Sequence, residues 1–319
     1  VILISLAACI AAACSQQDDV TVLKLAHTLD TNHSVHKGMV HMAERLAHYS
    51  GGQMRMDIYP SGQLGSEREM DELVQIGSLD MTKVSTSPLE AFVPIMKVFS
   101  LPYVFRSKEH SHKVLDSEIG QMLLESTDVA RLRGMGYYDA GSRSFYMVDT
   151  PVETPADLDG QKIRVMKSQT AVQMIDALGG SATPISWGEL YTALQQGVVD
   201  GAENNPPSFF LSRQYETCKY YALNEHTTVP DILLMSLRNW NALEPQQQEW
   251  LQKAVDDSVA HQRILWEEST QEALEGVKEA GVTVTYPDKQ PFMDAVAEMK
   301  ASFDGTEMGE LLKAIEAVE

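Results

Sequence analysis

Residues 20–62 decide the fold, and they read VTVLKLAHTLDTNHSVHKGMVHMAERLAHYSGGQMRMDIYPSG. The first seven of them alternate and are rich in β-branched side chains, a pattern that predicts a strand. Residues 33–50 place apolar or small side chains at helical spacing, and Gly51 and Gly52 end that helix. Residues 54–59 alternate again before a Pro-Ser-Gly turn. The stretch is therefore a predicted strand–helix–strand unit.

The same succession of elements continues along the chain. A helix over residues 67–77 and a strand over 79–85 extend the unit, which predicts a parallel, doubly wound sheet. A second set opens near Arg143, with a strand at 161–166 and a helix at 168–178. The predicted fold class is α/β with two lobes. Open sheets of this class bind ligands at the carboxyl ends of their strands, so we expect a ligand in the cleft between the lobes.

We expect lobe I to comprise residues 20–141 plus 230–269, and lobe II to comprise residues 142–229 plus 270–319. A long helical pattern begins at Pro245 and continues to about residue 281. This helix is expected to span both lobes and to limit their motion about a hinge.

Composition narrows the range of partners. The 319 residues suit about two domains, and 44% hydrophobic with 22% charged residues excludes intrinsic disorder and a polytopic membrane protein. Lys and Arg number 25 against 45 Asp and Glu, which gives a formal net charge of -20. Such a field repels phosphate backbones and anionic lipid head groups, so no nucleic-acid partner is expected.

Residues 1–19 are typical of a secretory leader followed by a polar tether. The apolar run over 1–13 is shorter than the roughly 20 residues that span a bilayer as a helix. Small residues before a cysteine indicate lipid attachment at Cys14 or, alternatively, at Cys9; a plain signal peptide with incidental cysteines is the other interpretation. Cys218 is then an ordinary thiol, expected to be buried or half-buried without a disulfide.

No sequence pattern of a catalytic or cofactor site is present. The chain has no GxGxxG, Walker A, GxSxG or HExxH pattern, so binding is favoured over catalysis and no cofactor is expected. His33 and His36 are spaced to meet on a helix start. A polar helix start beside a cleft is favoured there over a metal site.

Several motifs in order resemble the DctP-type solute-binding proteins of tripartite ATP-independent periplasmic (TRAP) transporters. They are YPSGQLG (59–65), GSLDM (77–81), LPYVF (101–105), GQKIRV (160–165) and ELYTALQQGVVDGAEN (189–204). The resemblance runs from about residue 20 to about residue 292. It implies a monomeric, two-lobe periplasmic binding protein of the Venus-flytrap type. Such a protein closes on an organic acid and delivers it to a permease made of a small and a large membrane subunit.

The resemblance implies a carboxylate clamp. Arg164 lies in a core strand, where a charge is costly unless paired, and its planar fork matches a carboxylate; the alternative is a structural salt bridge. Arg143 occupies the place of the family's second ligand arginine, with a hinge-stabilising ion pair as the alternative. Asn204 matches an asparagine that donates to the carboxylate, and Asn205 is a weaker candidate.

Further candidates would contact the rest of the ligand. Trp187 stands where relatives carry an aromatic residue in the cleft, although it can also be an ordinary core residue. Glu67 stands where sialic-acid binders have an acidic residue near ligand hydroxyls. Asn32 and His33 follow the first strand, and His226 precedes the return to the first lobe.

These polar and ring-covering groups favour a hexuronate or aldonate sugar acid, because hydroxyls left unpaired on burial are costly. Lys83 and Ser85 stand where sialic-acid binders carry an acidic residue, which weakens a sialic-acid interpretation. A C4-dicarboxylate or other small carboxylate is the alternative ligand. A sugar-acid enzyme or a ligand sensor on the same scaffold is the alternative class.

Overall fold

The computed structural model describes residues 20–319, so the predicted leader and its lipid-attachment residues, Cys14 and Cys9, lie outside the described residues. The described strands are β1 (Thr21–Ala26), β2 (Met54–Tyr59), β3 (Met81–Ser85), β4 (Leu132–Tyr138), β5 (Ser142–Met147), β6 (Lys162–Val165), β7 (Ser181–Pro184), β8 (Gly201–Asn204), β9 (Tyr220–Thr228), β10 (Asp231–Ser236) and β11 (Thr283–Thr285).

The helices are α1 (Ser34–Tyr49), α2 (Glu67–Gln75), α3 (Thr86–Leu89), α4 (Lys108–Leu115), α5 (Glu118–Glu125), α6 (Gln169–Ala177), α7 (Trp187–Gln195), α8 (Pro206–Leu211), α9 (Leu237–Ala242), α10 (Pro245–Glu279), α11 (Gln290–Ala295), α12 (Ala297–Ala301) and α13 (Glu307–Glu316). Short 3₁₀ helices occupy Pro94–Ser100, Ser126–Ala130, Pro155–Leu158 and Gln214–Glu216. No helix within residues 20–319 is long and apolar enough to cross a membrane.

Two sheets form the centres of two lobes, which confirms the predicted α/β two-lobe class. The first sheet has the strand order β2-β1-β3-β10-β4, and the second has the order β11-β9-β5-β8-β6-β7. Helices cover both faces of each sheet, and separate apolar cores lie on the two faces. Cys218 is a buried free thiol in one core of the second sheet, as predicted.

The sheets are mixed, whereas the sequence predicted parallel ones. Strand β1 runs parallel to β2 and β3, but β10 pairs antiparallel with both β3 and β4. In the second sheet, β5 pairs antiparallel with β8 and β9. The reason is that the chain crosses between the sheets twice, and the returning strand β10 enters the first sheet in the opposite direction.

The first crossing, between β4 and β5, depends on a glycine. Gly141 has a φ of 57°, in the left-handed region that favours glycine, and an added Cβ would lie 3.0 Å from Nε1 of Trp266. Trp266 belongs to α10, which contacts α1 and β4 of the first lobe and α8 of the second. The long helix therefore spans both lobes, as predicted, and packs against the crossing segment.

The C-terminal residues correct the predicted lobe boundaries. Residues 270–319 were assigned to lobe II, but Leu311 and Ile315 of α13 are buried in a core of the first sheet. Arg106 and His110 of the first lobe also hydrogen bond to carbonyls at this end of the chain. Because α13 has an apolar face that the first core can bury, the chain returns to lobe I after α12.

Candidate functional site

A cleft between the lobes collects the carboxyl ends of strands from both sheets. Its inner chamber is lined by residues of both lobes, among them Thr28, His33, Glu67, Lys83, Ser85, Arg143, Arg164, Trp187, Asn204, Asn205, Ser208, Asp231 and Trp266. An outer chamber adjoins it and shares Thr28, Glu67, Arg164 and Trp187 with it. The outer chamber holds about 580 Å³ and the inner about 40 Å³. The lobes are therefore close together at the inner chamber.

Arg164 is a buried cation that has no counterion in the described part of the chain. It lies on β6 with 2% of its surface exposed, and its Nε donates to the carbonyl of Ile185 at 2.8 Å. Within residues 20–319 it forms no ion pair, and its buried Nη1 has no hydrogen-bond partner. Burial lowers the pKa of Arg164, and the neighbouring cation Arg143 lowers it further; the carboxylates of Glu203 and Glu67 offset this only in part. This guanidinium can therefore accept an external anion.

Arg143 is different, because a carboxylate of the protein already holds it. Its Nε donates to the carboxylate of Glu203, and its Nη2 donates to Glu203 Oε1 at 2.8 Å. Its Nη1 donates to Oδ1 of Asn204 at 2.7 Å. Burial would raise the pKa of Glu203, but Arg143 and His226 outweigh it and hold the pKa at about 2. The ion pair considered as the alternative role for Arg143 is therefore present.

This pairing orients Asn204. Its Oδ1 accepts both from Arg143 and, at 2.9 Å, from the backbone N–H of Asn205. The amide nitrogen is thereby left to point elsewhere as a donor, and Asn204 lines the inner chamber. Asn205 also lines the chamber, but its Oδ1 caps α8 by accepting from the N–H of Ser208 at 2.9 Å.

The first-lobe side of the inner chamber carries a second cluster of charges. Nζ of Lys83 lies 2.9 Å from Oδ2 of Asp231 and 3.6 Å from Oε1 of Glu67. Ser85 donates from its hydroxyl to Asp231 at 3.1 Å and from its N–H to Glu67 at 3.2 Å. Burial opposes ionisation of Lys83, but the two carboxylates prevail and raise its pKa. Burial raises the pKa of Glu67, against the pull of Lys83.

His33 and Trp187 connect the lobes. His33 caps α1, because its Nδ1 accepts from the N–H of Val35 at 3.2 Å, and its Nε2 lies 3.4 Å from the hydroxyl of Ser208. Burial lowers the pKa of His33 to about 3, so the ring is neutral and Nε2 is the donor to Ser208. Trp187 is half-buried and packs against cores of both lobes while it lines both chambers.

Two predicted residues do not reach the cleft. Asn32 is exposed and lines neither chamber. His226 is fully buried behind Glu203, with its Nε2 3.5 Å from that carboxylate, and its ring stacks on Phe145. His226 therefore supports the Arg143–Glu203 pair from behind. The structure brings the other seven candidates together along the inner chamber.

Some residues at the cleft were missed by sequence reasoning. Lys83 could have been found by the signal used for Arg164, a charge inside an apolar strand that implies a buried partner. Asp231 opens β10 directly after the return crossing. Thr28 lines both chambers, and its buried hydroxyl has no hydrogen-bond partner among residues 20–319.

Two residues of the histidine cluster, His27 and His36, form a pair. Nε2 of His27 and Nδ1 of His36 are 3.0 Å apart, while Nδ1 of His27 accepts from the N–H of Leu29. His36 thus contacts His27, whereas the sequence spacing predicts a contact between His36 and His33. Among the described residues, no group of three or more His, Cys, Asp or Glu side chains could hold a metal ion.

Comparison with known proteins agrees with this architecture. The family model for bacterial extracellular solute-binding proteins, family 7 (DctP), matches residues 25–305. Proteins of this kind are periplasmic solute-binding proteins, which are not enzymes, so membership implies a periplasmic location.

Three similar proteins show how far the likeness extends. A TRAP periplasmic solute-binding protein from Bradyrhizobium, solved in complex with galacturonate, is 41% identical with a TM-score of 0.90, and the match covers 92% of this chain and 99% of that one. A counterpart from Anaerococcus prevotii with bound glucuronate is 38% identical with the same TM-score, over 93% and 97% of the two chains. The protein YiiZ of Salmonella typhimurium is 39% identical over 278 residues, 86% of this chain and 85% of its own. The chain therefore belongs to the bacterial extracellular solute-binding protein family 7, the DctP-type solute-binding proteins of TRAP transporters.

Proposed function

We propose that the protein captures a sugar acid, a hexuronate or an aldonate, in the inter-lobe cleft and delivers it to a TRAP permease. The observation that carries the proposal is Arg164, a buried guanidinium with no counterion among residues 20–319. A buried charge without a partner costs several kcal/mol, which a bound carboxylate would recover through a bidentate, charge-assisted pair. The ligand is thus the missing counterion.

The remaining contacts support a polyhydroxy ligand. The amide nitrogen of Asn204, the hydroxyl of Thr28 and the carboxylates of Glu67 and Asp231 surround the space next to Arg164. These donors and acceptors suit hydroxyl groups, and the face of Trp187 can cover a sugar ring. Galacturonate and glucuronate in the two similar crystal structures are ligands of the same class. Arg143 acts through Asn204, which it positions.

The protein would bind by hinged closure. An inner chamber of about 40 Å³ has room for only a few water molecules, so the lobes must separate before a sugar acid can enter. A ligand that contacts Arg164 on the second lobe and Glu67 on the first favours the state in which both contacts form. The long helix α10 keeps the lobes attached throughout.

Ligand screening tests the proposal. Thermal-shift measurements followed by calorimetry would compare galacturonate, glucuronate and galactonate with succinate and malate, using unlabelled protein freed of co-purified ligand. Stabilisation by at least one sugar acid in preference to the C4-dicarboxylates is expected. Binding of succinate or malate alone would show that the ligand is a C4-dicarboxylate.

The transport role requires the membrane subunits. Co-reconstitution with the small and large subunits of a TRAP permease should give sodium-dependent uptake of the bound acid, and recovery of the acid chemically unchanged would agree with a role without catalysis. Lipid attachment at Cys14, or at Cys9, belongs to the same proposal. Mass spectrometry of the mature N-terminus would detect the acyl chains or show their absence.

A further inference from the structure

The first-lobe side of the inner chamber holds a compact group of ionic side chains, which we call the acidic wall: Glu67, Lys83 and Asp231. Lys83 is 1% exposed and lies between the two carboxylates, 2.9 Å from Asp231 and 3.6 Å from Glu67. All three residues line the same chamber as Arg164. Two carboxylates and one ammonium leave the wall with a surplus of one negative charge.

Lys83 is not available to bind an anion. Its ammonium already contacts two carboxylates, and its burial prevents it from turning towards solvent. A ligand carboxylate placed against the wall would meet a cation whose charge is already compensated and two anions that repel it. The wall therefore differs from Arg164, a cation that forms no ion pair with any residue of 20–319.

The wall nevertheless keeps hydrogen-bonding capacity. Oε2 of Glu67 accepts no hydrogen bond from any residue of 20–319, whereas Oε1 accepts from Ser85. The oxygens of Asp231 each accept one hydrogen bond, from Lys83 and from Ser85, and a carboxylate oxygen can accept about two. Hydroxyl groups donate hydrogen bonds and carry no charge, so they fit these acceptors.

We propose that the acidic wall determines selectivity: it accepts ligand hydroxyls and rejects a second carboxylate, so the site takes monoanionic polyhydroxy acids and excludes their diacids. The inference rests on the proposed function, because it assumes that one carboxylate of the ligand pairs with Arg164. It adds to that function a reason, within this chain, for excluding both C4-dicarboxylates and sugar diacids of the right length.

Galactonate and galactarate form a matched pair of probes, since they differ only at one terminal carbon, a CH₂OH in the first and a carboxylate in the second. Calorimetry would measure both, with galacturonate as an additional monoacid. The wild-type protein should bind the tighter monoacid at least about tenfold better than galactarate, because burial strengthens repulsion between like charges. In Glu67→Gln and Asp231→Asn, which each remove one negative charge, that preference should narrow by about tenfold.

Glu72→Gln is the matched control. Glu72 lies on the same helix as Glu67 and lines the outer chamber, but it is exposed and pairs with Arg68. The Glu72→Gln variant should therefore prefer the monoacid over galactarate by the same factor as the wild type. Asp231→Asn leaves Lys83 with one partner fewer and could lower stability, so thermal unfolding is recorded for every variant. Glu67→Gln keeps the Lys83–Asp231 pair, so this variant is enough to test the selectivity role even if Asp231→Asn does not fold.

The outcomes separate the two proposals. Equal affinity of the wild type for galactarate and the monoacids would overturn the selectivity role and leave sugar-acid capture standing. The selectivity role would also be overturned if Glu67→Gln kept the wild-type preference for the monoacid over galactarate, or if Glu72→Gln changed that preference as much as Glu67→Gln does. Absence of binding to every sugar acid would contradict the proposed function itself, and the selectivity role would fail with it.

Discussion

On the first-lobe side of the cleft, the buried cation Lys83 meets two carboxylates of the protein. On the second-lobe side, the hydrogen-bond partner that Arg164 has among residues 20–319 is a carbonyl oxygen. Arg143 lies near Arg164 but resembles Lys83, because Glu203 compensates its charge. A buried ion that has its partner within the chain contributes to folding and orientation. A buried ion that lacks one favours the state in which a ligand supplies it.

The largest change in stability should come from breaking the buried Arg143–Glu203 ion pair, in which both partners belong to the protein. Arg143→Ala leaves the Glu203 carboxylate buried without its main partner and should lower the free energy of unfolding by about 3–5 kcal/mol. Chemical denaturation without ligand measures this. Arg213→Ala removes an exposed arginine and should change stability little. If the ligand-free Arg143→Ala variant were as stable as the wild type, Arg143 would not contribute to folding, and the distinction drawn between Arg143 and Arg164 would be wrong.

Arg164→Ala should have the converse effect. It removes a cation that has no counterion among residues 20–319, so the stability of the ligand-free protein should not fall by the amount expected for Arg143→Ala. Affinity for the sugar acid should fall by about 2–5 kcal/mol, because the ligand carboxylate loses its charge-assisted partner. Calorimetry and ligand-free unfolding together test this. Unchanged affinity would exclude the clamp.

Two buried histidines of the first lobe should make the protein less stable at acidic pH. Burial, with the charge of Lys83, lowers the pKa of His27 to about 2 and that of His33 to about 3, from an ordinary 6.5. Both rings stay neutral in the folded protein and take up protons on unfolding below pH 6.5. The free energy of unfolding should therefore fall as pH drops from 6.5, by about 2 kcal/mol for each ring at pH 5.

His33→Asn isolates one of these contributions, because asparagine can still cap α1 but does not titrate. The pH dependence of its unfolding free energy should be shallower than that of the wild type between pH 6.5 and 5. An identical dependence in the two proteins would show that His33 does not hold a depressed pKa.

The smallest effect concerns a contact that joins the lobes. The bond from Nε2 of His33 to the hydroxyl of Ser208 forms only when the lobes are close together. Ser208→Ala should weaken sugar-acid binding by about 0.5–1.5 kcal/mol, the ordinary net value of one hydrogen bond. Ser212→Ala removes a hydroxyl at the end of α8 that donates to the carbonyl of Ser208, in the same lobe, and should leave the affinity unchanged. Equal affinity losses in the two variants would argue against a role in closure.

Sequence patterns could predict elements whose periodicity is local. Strand β1, helix α1 and strand β2 follow from alternation, helical spacing and Gly51, because one buried face decides each of them. Strands β5 and β9 and the antiparallel placement of β10 could not be predicted, since they depend on where the chain crosses between sheets. The side of the sheet that α13 covers is likewise a matter of tertiary packing.

The candidate site shows the same limit at the level of side chains. A charge within a core strand singles out Arg164, but the pairing of Arg143 with Glu203 depends on the register of β5 against β8. Lys83 and Asp231 meet because β3 and β10 run antiparallel, with Asp231 opposite Ser85. Asn32 and His226 were predicted from their position along the chain, which does not determine the direction in which a loop or strand side chain points.

Two of the four tryptophans, Trp187 and Trp266, line the inner chamber, whereas Trp240 and Trp250 belong to a core of the first lobe. Trp266 also packs against Gly141 at a crossing between the lobes. The emission of these two indoles depends on the water and the ring neighbours that a ligand would displace. The protein thus carries its own optical reporter, and binding can be followed by intrinsic fluorescence without a dye or a label.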